Sequence, residues 1–235
     1  MSFRTDVHPP SHALLLVSGD RGDATDRSSY SRTPTVSSGA TFATRAIDFD
    51  GTSNAVITYP DANELETFPL SVAGWWRNDA STNANGVSLI TKASIAASPS
   101  VNYRGWYFTY ITGTTGALGL RVSIVEDTFD QYRTWSNRTS YDDSTWRHIA
   151  FTLDTVGGTP AIYVNGVAQT LYASLGPVAP TTVVTPDPVR LGGRAYFEQN
   201  TYFNGALDNV RIYSRVLSAV EINGAYIEGL GVTRP

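Results

Sequence analysis

The sequence predicts an all-β fold, either a sandwich or a barrel of short antiparallel strands. Within residues 146–154, Ile149, Phe151 and Leu153 alternate with smaller or polar side chains, which predicts a half-buried strand with its large groups on one face. Twenty glycines, twelve prolines and thirteen tyrosines are typical of a chain rich in turns and strands. No repeat of about 20 to 50 residues is present, which argues against propellers and solenoids.

Strand patterns recur at short intervals, and turn dipeptides such as Asp50-Gly51, Asn165-Gly166 and Asn204-Gly205 separate them. Such spacing is typical of sandwiches and barrels. The predicted strands cover residues 13–17, 46–49, 55–59, 70–77, 87–92, 105–111, 118–125, 131–136, 146–154, 161–164, 189–191 and 206–213.

One helix is predicted near the end of the chain. Ser218, with Glu221 three residues later, forms the pattern of a capping box, in which each residue satisfies a backbone N–H group of the other. Ile222, Ala225 and Tyr226 follow at helical spacing on one face.

No linker interrupts the strand series, so we expect one domain over residues 13–235. Residues 1–12 contain Pro9-Pro10 and little to bury, and they are expected to form an N-terminal arm. Residues 18–39 are expected to be a polar surface loop, and residues 171–188, with four prolines, an irregular excursion.

Composition excludes several classes of function. The formal net charge of −4 and the scattered basic residues offer no field for nucleic acid or an anionic membrane, so neither partner is expected. The absence of cysteine excludes disulfides and thiolate chemistry. No signal peptide or membrane span is visible, so we expect synthesis and folding in the cytosol.

Six segments, in their order and spacing, resemble the laminin-G-like, or concanavalin A-like, domains of bacterial and phage proteins. They are AIDFDGT at 46–52, FPLSVAGWW at 68–76, WRHIAFTLD at 146–154, AIYVNGV at 161–167, VRLGG at 189–193 and FNGALDNVRIYSRVLSAVEI at 203–222. The resemblance implies an antiparallel jelly roll of two sheets, one concave and one convex, with about six or seven strands each. Phe68, Trp75, Trp146 and Phe151 are expected in its core.

Catalysis is not expected. The β-glucanases with this fold carry two catalytic carboxylates in an E-x-D-x-x-E strand, and that motif is absent from the chain. The histidines are His8 and His12 in the arm and His148, which the resemblance assigns to the scaffold. An enzyme that acts on polysaccharide through an atypical site remains the alternative.

A structural calcium ion is a second implication of the resemblance. Members of the family hold Ca²⁺ between an acidic residue of the N-terminal loop and an aspartate of the last long strand. The matching residues are Asp26, followed by Ser28, and Asp208, and Asp20 could add a further oxygen. Hard oxygen ligands suit Ca²⁺. The alternative is that Asp208 accepts hydrogen bonds from loop amides.

Glycan binding would use aromatic and polar side chains of the strands at 105–111 and 131–136. The candidate ligand-binding residues are Tyr103, Trp106, Tyr132, Arg133 and Trp135, although alternation must turn about half of such positions inward.

The function predicted from these observations is a non-catalytic module for binding, adhesion or surface display. The resemblance to virion accessory proteins of phages implies a capsid decoration, a head fibre or a tail-associated adhesin, associated with a virion or a cell surface. The expected partners are a glycan or host-surface polysaccharide, and virion proteins or further copies of the chain through residues 1–12. A bacterial carbohydrate-binding module is a further alternative.

Overall fold

A computed structural model describes residues 13–19, 22–43, 45–52, 55–79, 86–95, 103–111, 119–127, 131–175, 180–193, 202–232 and 234. These residues form sixteen strands and one α-helix, α1 (Ala219–Leu230). The strands are β1 (Ala13–Val17), β2 (Thr35–Val36), β3 (Ala40–Ala43), β4 (Ala46–Asp50), β5 (Ile57–Tyr59), β6 (Leu70–Asn78), β7 (Val87–Ile95), β8 (Tyr103–Ile111), β9 (Gly119–Asp127), β10 (Gln131–Ser136), β11 (Arg147–Leu153), β12 (Ala161–Val164), β13 (Val167–Ala168), β14 (Tyr172–Leu175), β15 (Val189–Leu191) and β16 (Asn204–Tyr213).

The strands build two antiparallel sheets. Sheet A has the order β13-β12-β11-β6-β16-β4-β3, with β1 also paired to β16. Sheet B has the order β14-β10-β9-β8-β7-β15-β5-β2. The main hydrophobic cluster takes side chains from both sheets, so the sheets pack face to face. The predicted two-sheet sandwich is therefore confirmed.

Aromatic rings fill the space between the sheets. Phe151 of sheet A packs edge-on against Phe108 of sheet B, with 5.2 Å between ring centroids. Trp76 packs against Tyr110 across the same space at 4.9 Å. The expectation of a core position holds for Phe151, whereas Phe68 and Trp146 are only half-buried.

Sheet A is covered on both faces. A second hydrophobic cluster lies on the outer face of the sheet. In it, Leu217, which precedes α1, and Ile222 of α1 pack with Ala73 and Ala150. As a result β11, predicted to be half-buried, is buried nearly throughout. Trp75 also lies on this outer face, where the absence of a side chain at Gly229 allows α1 to approach its ring.

Local sequence signals fix several boundaries. Ser218 caps α1, its hydroxyl accepts from the Glu221 amide, and the Glu221 carboxylate accepts from the Ser218 amide, as the capping box predicts. Asn165 and Gly166 have φ of +50° and +77° in the turn between β12 and β13, where glycine carries no steric penalty.

The sequence missed four short strands, β2, β3, β13 and β14. They lie at or near the edges of the sheets, and every residue of β2, β13 and β14 is exposed, so no alternation of buried and exposed residues marks them. β14 falls within the stretch predicted to be irregular.

Within the described ranges, no helix combines the length and the hydropathy needed to cross a membrane.

Candidate ligand-binding site

A cavity of about 350 Å³ opens at one end of the sandwich, beside the paired residues Leu70 of β6 and Leu153 of β11. Three connecting segments line it: residues 66–68 before β6, residues 154–156 after β11, and residues 181–183 before β15. Its volume lies in the range of small-molecule sites, which run from about 300 to 1,000 Å³.

The lining combines hydroxyl groups, apolar groups and carboxylates. Thr67, Thr155, Thr181 and Thr182 contribute hydroxyls, which can both donate and accept hydrogen bonds. Phe68, Val156 and Val183 contribute apolar surface, and Glu66 and Asp154 contribute carboxylates. None of the lining residues is basic.

Glu66 is held in place by a buried ammonium. The Lys92 side chain is fully buried, and its Nζ donates to Oε1 of Glu66 at 2.5 Å and to Oδ1 of Asp61 at 2.7 Å. The backbone carbonyls of Thr185 and Asp187 are further acceptors. Lys92 thus holds the Glu66 carboxylate, which lines the back of the cavity, through a buried ion pair.

The second carboxylate oxygen of Glu66 faces a different environment. Oε1 also accepts from the Thr185 amide at 3.0 Å, whereas Oε2 accepts no hydrogen bond from any residue that the structure describes. Glu66 is only 5% exposed and lines the cavity. Oε2 is not among the buried polar atoms that lack a hydrogen-bond partner, so it contacts solvent, and a donor from a bound molecule can reach it.

Glu126 of β9 holds the segment that carries Thr181. The amide and the hydroxyl of Thr181 both donate to the Glu126 carboxylate. Burial alone would raise the pKa of Glu126, but the hydrogen bonds from Thr181 and Thr182 and the charge of Arg104 outweigh it and lower the pKa. The wall formed by residues 181–183 is thereby tied to sheet B.

The predicted ligand-binding residues are not brought together as a surface. Trp106 is fully buried and its indole Nε1 donates to the carbonyl of Leu65 at 2.9 Å. Trp135 is 4% exposed and belongs to the main core. Sugar stacking needs an open ring face, so the prediction is wrong for these two residues. The side chains of Tyr103, Tyr132 and Arg133, on β8 and β10, lie outside the described structure, and their role stays a prediction.

The outer face of sheet B, opposite to the face on which Trp106 lies, carries side chains with hydroxyl groups. Cross-strand pairing aligns Thr91, Tyr107, Ser123 and Thr134 in one row. Thr134 donates to Ser123 across 3.1 Å, and Tyr107 is 4% exposed. This row is polar and largely buried, so no aromatic platform is open along it.

Asp26 does not have the environment of a calcium ligand. Its Oδ1 accepts from the amides of Leu16 and Ser28 at 3.1 and 2.9 Å, and its Oδ2 accepts from the amide of Arg32 at 3.0 Å. The Arg32 guanidinium lies 3.4 Å from Oδ2 and supplies the balancing charge. Ser28 turns its hydroxyl toward the Leu14 carbonyl.

The carboxylate oxygens of Asp208 likewise accept hydrogen bonds from neighbouring groups. Its Oδ1 accepts from the Gly19 amide at 3.1 Å and the Ser18 hydroxyl at 3.3 Å, and its Oδ2 accepts from Nε of Arg234 at 2.8 Å. The first loop is therefore tied to β16 directly.

The described residues fit the hydrogen-bonded alternative better than the calcium ion. They contain no group of three acidic or histidine side chains that could hold a metal ion, and Asp20 lies outside them. N–H and O–H donors point at the carboxylate oxygens of Asp26 and Asp208, where calcium would have to bind. Calcium stays a prediction that only a binding measurement tests.

His148 lies beneath α1, away from the cavity. It is 3% exposed and packs edge-on against Trp75 at 5.7 Å. Its surroundings are those of a packed scaffold residue, as the sequence predicted.

Comparisons with known proteins give the family. A sequence model, Laminin_G_3, described as the concanavalin A-like lectin/glucanases superfamily, matches residues 50–223. The chain belongs to the concanavalin A-like lectin/glucanase superfamily. A search of curated protein sequences finds no match.

Solved structures share the fold of this superfamily member. The binding domain of Paraclostridial Mosquitocidal Protein 1 is 14% identical, with a TM-score of 0.70 over 94% of this chain and 53% of the toxin domain. Domain 4 of AbnA, an extracellular GH43 arabinanase from Geobacillus stearothermophilus in complex with arabinotriose, is 18% identical, with a TM-score of 0.64 over 91% and 98% of the two chains.

The ligand-binding domain of botulinum neurotoxin serotype D, in complex with N-acetylneuraminic acid, is 15% identical, with a TM-score of 0.66 over 94% of this chain and 52% of that one. This chain thus spans about half the length of the toxin domains that it matches. At such identities the likeness shows the fold alone.

Proposed function

We propose that the chain is a non-catalytic carbohydrate-binding module and that it holds a sugar in the cavity between residues 66–68, 154–156 and 181–183. The observation that carries the proposal is the composition of this cavity, in which Phe68 lies among threonine hydroxyls and two carboxylates.

The lining suits the two kinds of surface that a sugar presents. The C–H groups of a pyranose or furanose ring match apolar side chains such as Phe68 and Val156, and the sugar hydroxyls match the threonine hydroxyls and carboxylate oxygens. Neither the Thr155 hydroxyl nor the Asp154 carboxylate has a hydrogen-bond partner among the described residues, so both are available to a ligand.

Relatives with the same fold support the proposal at a coarse level. The arabinanase domain was solved with arabinotriose and the neurotoxin domain with N-acetylneuraminic acid. The fold therefore accommodates saccharide binding in more than one protein, although a fold alone does not carry a function.

The test is direct binding. We would titrate the chain with arabinotriose and with soluble arabinan, xylan, β-glucan and mannan, by calorimetry and affinity gel electrophoresis. Thr155→Val, which keeps the shape and removes the hydroxyl, should weaken binding about two- to tenfold, the contribution of one neutral hydrogen bond.

The matched control is Thr145→Val. Thr145 lies just before the start of β11, and the other end of this strand adjoins the cavity. The Thr145→Val variant should therefore bind sugar as tightly as the unaltered chain. Failure to retain any polysaccharide, or equal affinity of the Thr155→Val variant and the unaltered chain, would remove the proposal.

An enzyme acting on polysaccharide is the alternative from another class. It predicts release of reducing ends from a polysaccharide that the chain binds, and a non-catalytic module predicts binding without release. An assay of reducing ends on the retained polysaccharide separates the two.

We also propose that the module is displayed on a virion or a cell surface, as its resemblance to phage accessory proteins implies, with residues 1–12 as the attachment segment. Residues 1–12 lie outside the described structure. A chain of residues 13–235 should keep sugar binding and lose association with particles. Retention of particle association by this shorter chain would contradict the attachment role.

A further inference from the structure

The charges around the cavity are unevenly balanced. Asp154 is exposed at the rim, and it forms no ion pair with any described residue. Glu66 lies at the back, and Lys92, which is the only lysine of the chain, is shared between Glu66 and Asp61. One ammonium thus faces two carboxylates, and Asp154 adds a third without compensation.

The ammonium group of Lys92 does not reach a ligand in the cavity. Lys92 is fully buried behind Glu66, and its N–H groups point at the carboxylates of Glu66 and Asp61 and at two backbone carbonyls. An anion in the cavity would therefore meet carboxylates first and would find no donor with a positive charge among the lining residues.

Glu66 presents an acceptor that a sugar hydroxyl would satisfy. Its Oε1 is occupied by Lys92 and the Thr185 amide, and its Oε2 lacks a donor among the described residues. A hydroxyl donates to such an oxygen, whereas a ligand carboxylate is itself only an acceptor and would repel it.

We infer that the cavity is selective for uncharged glycans and rejects acidic sugars, with a ligand hydroxyl donating to Oε2 of Glu66 and the Asp154 carboxylate enforcing the selection. This inference rests on the proposed function and adds to it the chemical class of the ligand.

The test compares uncharged glycans with acidic counterparts. One pair is lactose and 3′-sialyllactose, which adds one acidic sugar residue. A second pair is an oligogalacturonide and its methyl ester, in which the backbone is identical and the carboxylates are blocked. We expect the uncharged member to bind about tenfold more tightly at low salt, because like charges a few ångströms apart at a protein surface repel each other more strongly than in bulk water. The ratio should fall as salt screens the repulsion.

Variants of Asp154 and Glu66 test which residues cause the selection against acidic glycans. Asp154→Asn keeps the shape of the side chain and should reduce the ratio of affinities at least about threefold, mainly through tighter binding of the acidic member. Asp143→Asn is the control for removal of an exposed carboxylate far from the cavity, because Asp143, which pairs with Arg147, lies close to Asp142, and Asp142 accepts from Asn78 at the far end of β6. The nine residues of β6 separate this loop from the cavity by about 30 Å. Glu66→Gln should weaken binding of the uncharged member.

The outcomes separate the two levels of the proposal. If no glycan of either charge binds, the proposed function fails. If an acidic member binds as tightly as its uncharged partner and Thr155→Val weakens both, the function stands and the inferred selectivity is wrong. An unchanged affinity ratio in the Asp154→Asn variant also overturns the selectivity. If a glucosamine oligomer, which is cationic, binds more tightly than the uncharged glycans, the inference is also contradicted.

Discussion

The guanidinium of Arg234 donates from Nε to Oδ2 of Asp208 across 2.8 Å, and the two side chains are only 4% and 2% exposed. The same group lies 4.1 Å over the ring of Trp75 and donates to the carbonyl of Gly229 in α1. Arg234 therefore joins the end of the helix to β6 and β16 of sheet A. Asp26 and Arg32 form a comparable pair at the first loop.

Replacement of Arg234 by methionine should lower the free energy of unfolding by about 3 to 5 kcal/mol, because it removes the guanidinium that is paired with the buried charge of Asp208. Urea denaturation followed by tryptophan fluorescence measures the change. Arg27→Met removes the half-buried partner of Asp23 from an ion pair that is open to solvent, and should cost less than about 1 kcal/mol. Equal effects of the two replacements would show that the Arg234 pair contributes no more than a surface ion pair.

Calcium should leave the melting temperature of the chain unchanged, since arginines and backbone amides occupy the carboxylate oxygens of Asp26 and Asp208. The measurement is a thermal scan with millimolar calcium and with a chelator. A rise of several degrees in calcium would instead support the ion that the sequence predicts at Asp20, Asp26 and Asp208.

Lys92→Met should destabilise the fold by about 3 to 5 kcal/mol and weaken sugar binding in the surviving folded fraction, because Glu66 loses the group that positions it. Chemical denaturation and calorimetry, both performed well below the melting temperature, give the two quantities separately. Unaltered affinity in a folded Lys92→Met variant would show that Glu66 does not contact the ligand.

Alkaline pH should destabilise the chain through two buried tyrosines. Burial raises the pKa of Tyr110 to about 12, and it raises the pKa of Tyr59, whose hydroxyl donates to the Ala24 carbonyl, further still. In the unfolded chain both phenols ionise near pH 10. Their contribution to stability is therefore complete below about pH 10 and is lost progressively as the pH rises toward the folded pKa values.

The absorbance of tyrosinate near 295 nm measures this effect, because the two phenols should ionise only as the chain unfolds. Tyr59→Phe keeps the ring and removes one ionisable group, so its stability should depend less steeply on pH above 10. A slope equal to that of the unaltered chain would contradict the assignment to Tyr59.

The fold could be predicted because its signals are local. The alternation in β11, the Asn165-Gly166 turn and the capping box at Ser218 each depend on a few neighbouring residues, and the structure has all three. The family motifs then supplied the arrangement of the strands, which alternation alone leaves open between a sandwich and a barrel.

The site could not be predicted in the same way. In β8, aromatic residues occupy positions on both faces of the strand, including Trp106 and Tyr107. The alternation of residue types therefore does not reveal which of these rings faces the core. The cavity is lined by segments 66–68, 154–156 and 181–183, which are distant in sequence and carry no shared motif. The pairing of β6 with β11, the burial of Lys92 against Glu66 and the hydrogen bonds from Thr181 to Glu126 bring them together.

The burial of Lys92 has a practical consequence for chemical modification. It is the only lysine of the chain, and its ammonium is enclosed by carboxylates and carbonyls. Reagents that acylate amines attach to most folded proteins through exposed lysine side chains, and on the native form of this chain they would find none. Acylation of Lys92 would instead mark molecules that have opened, so the residue can serve as a built-in reporter of unfolding at the back of the cavity.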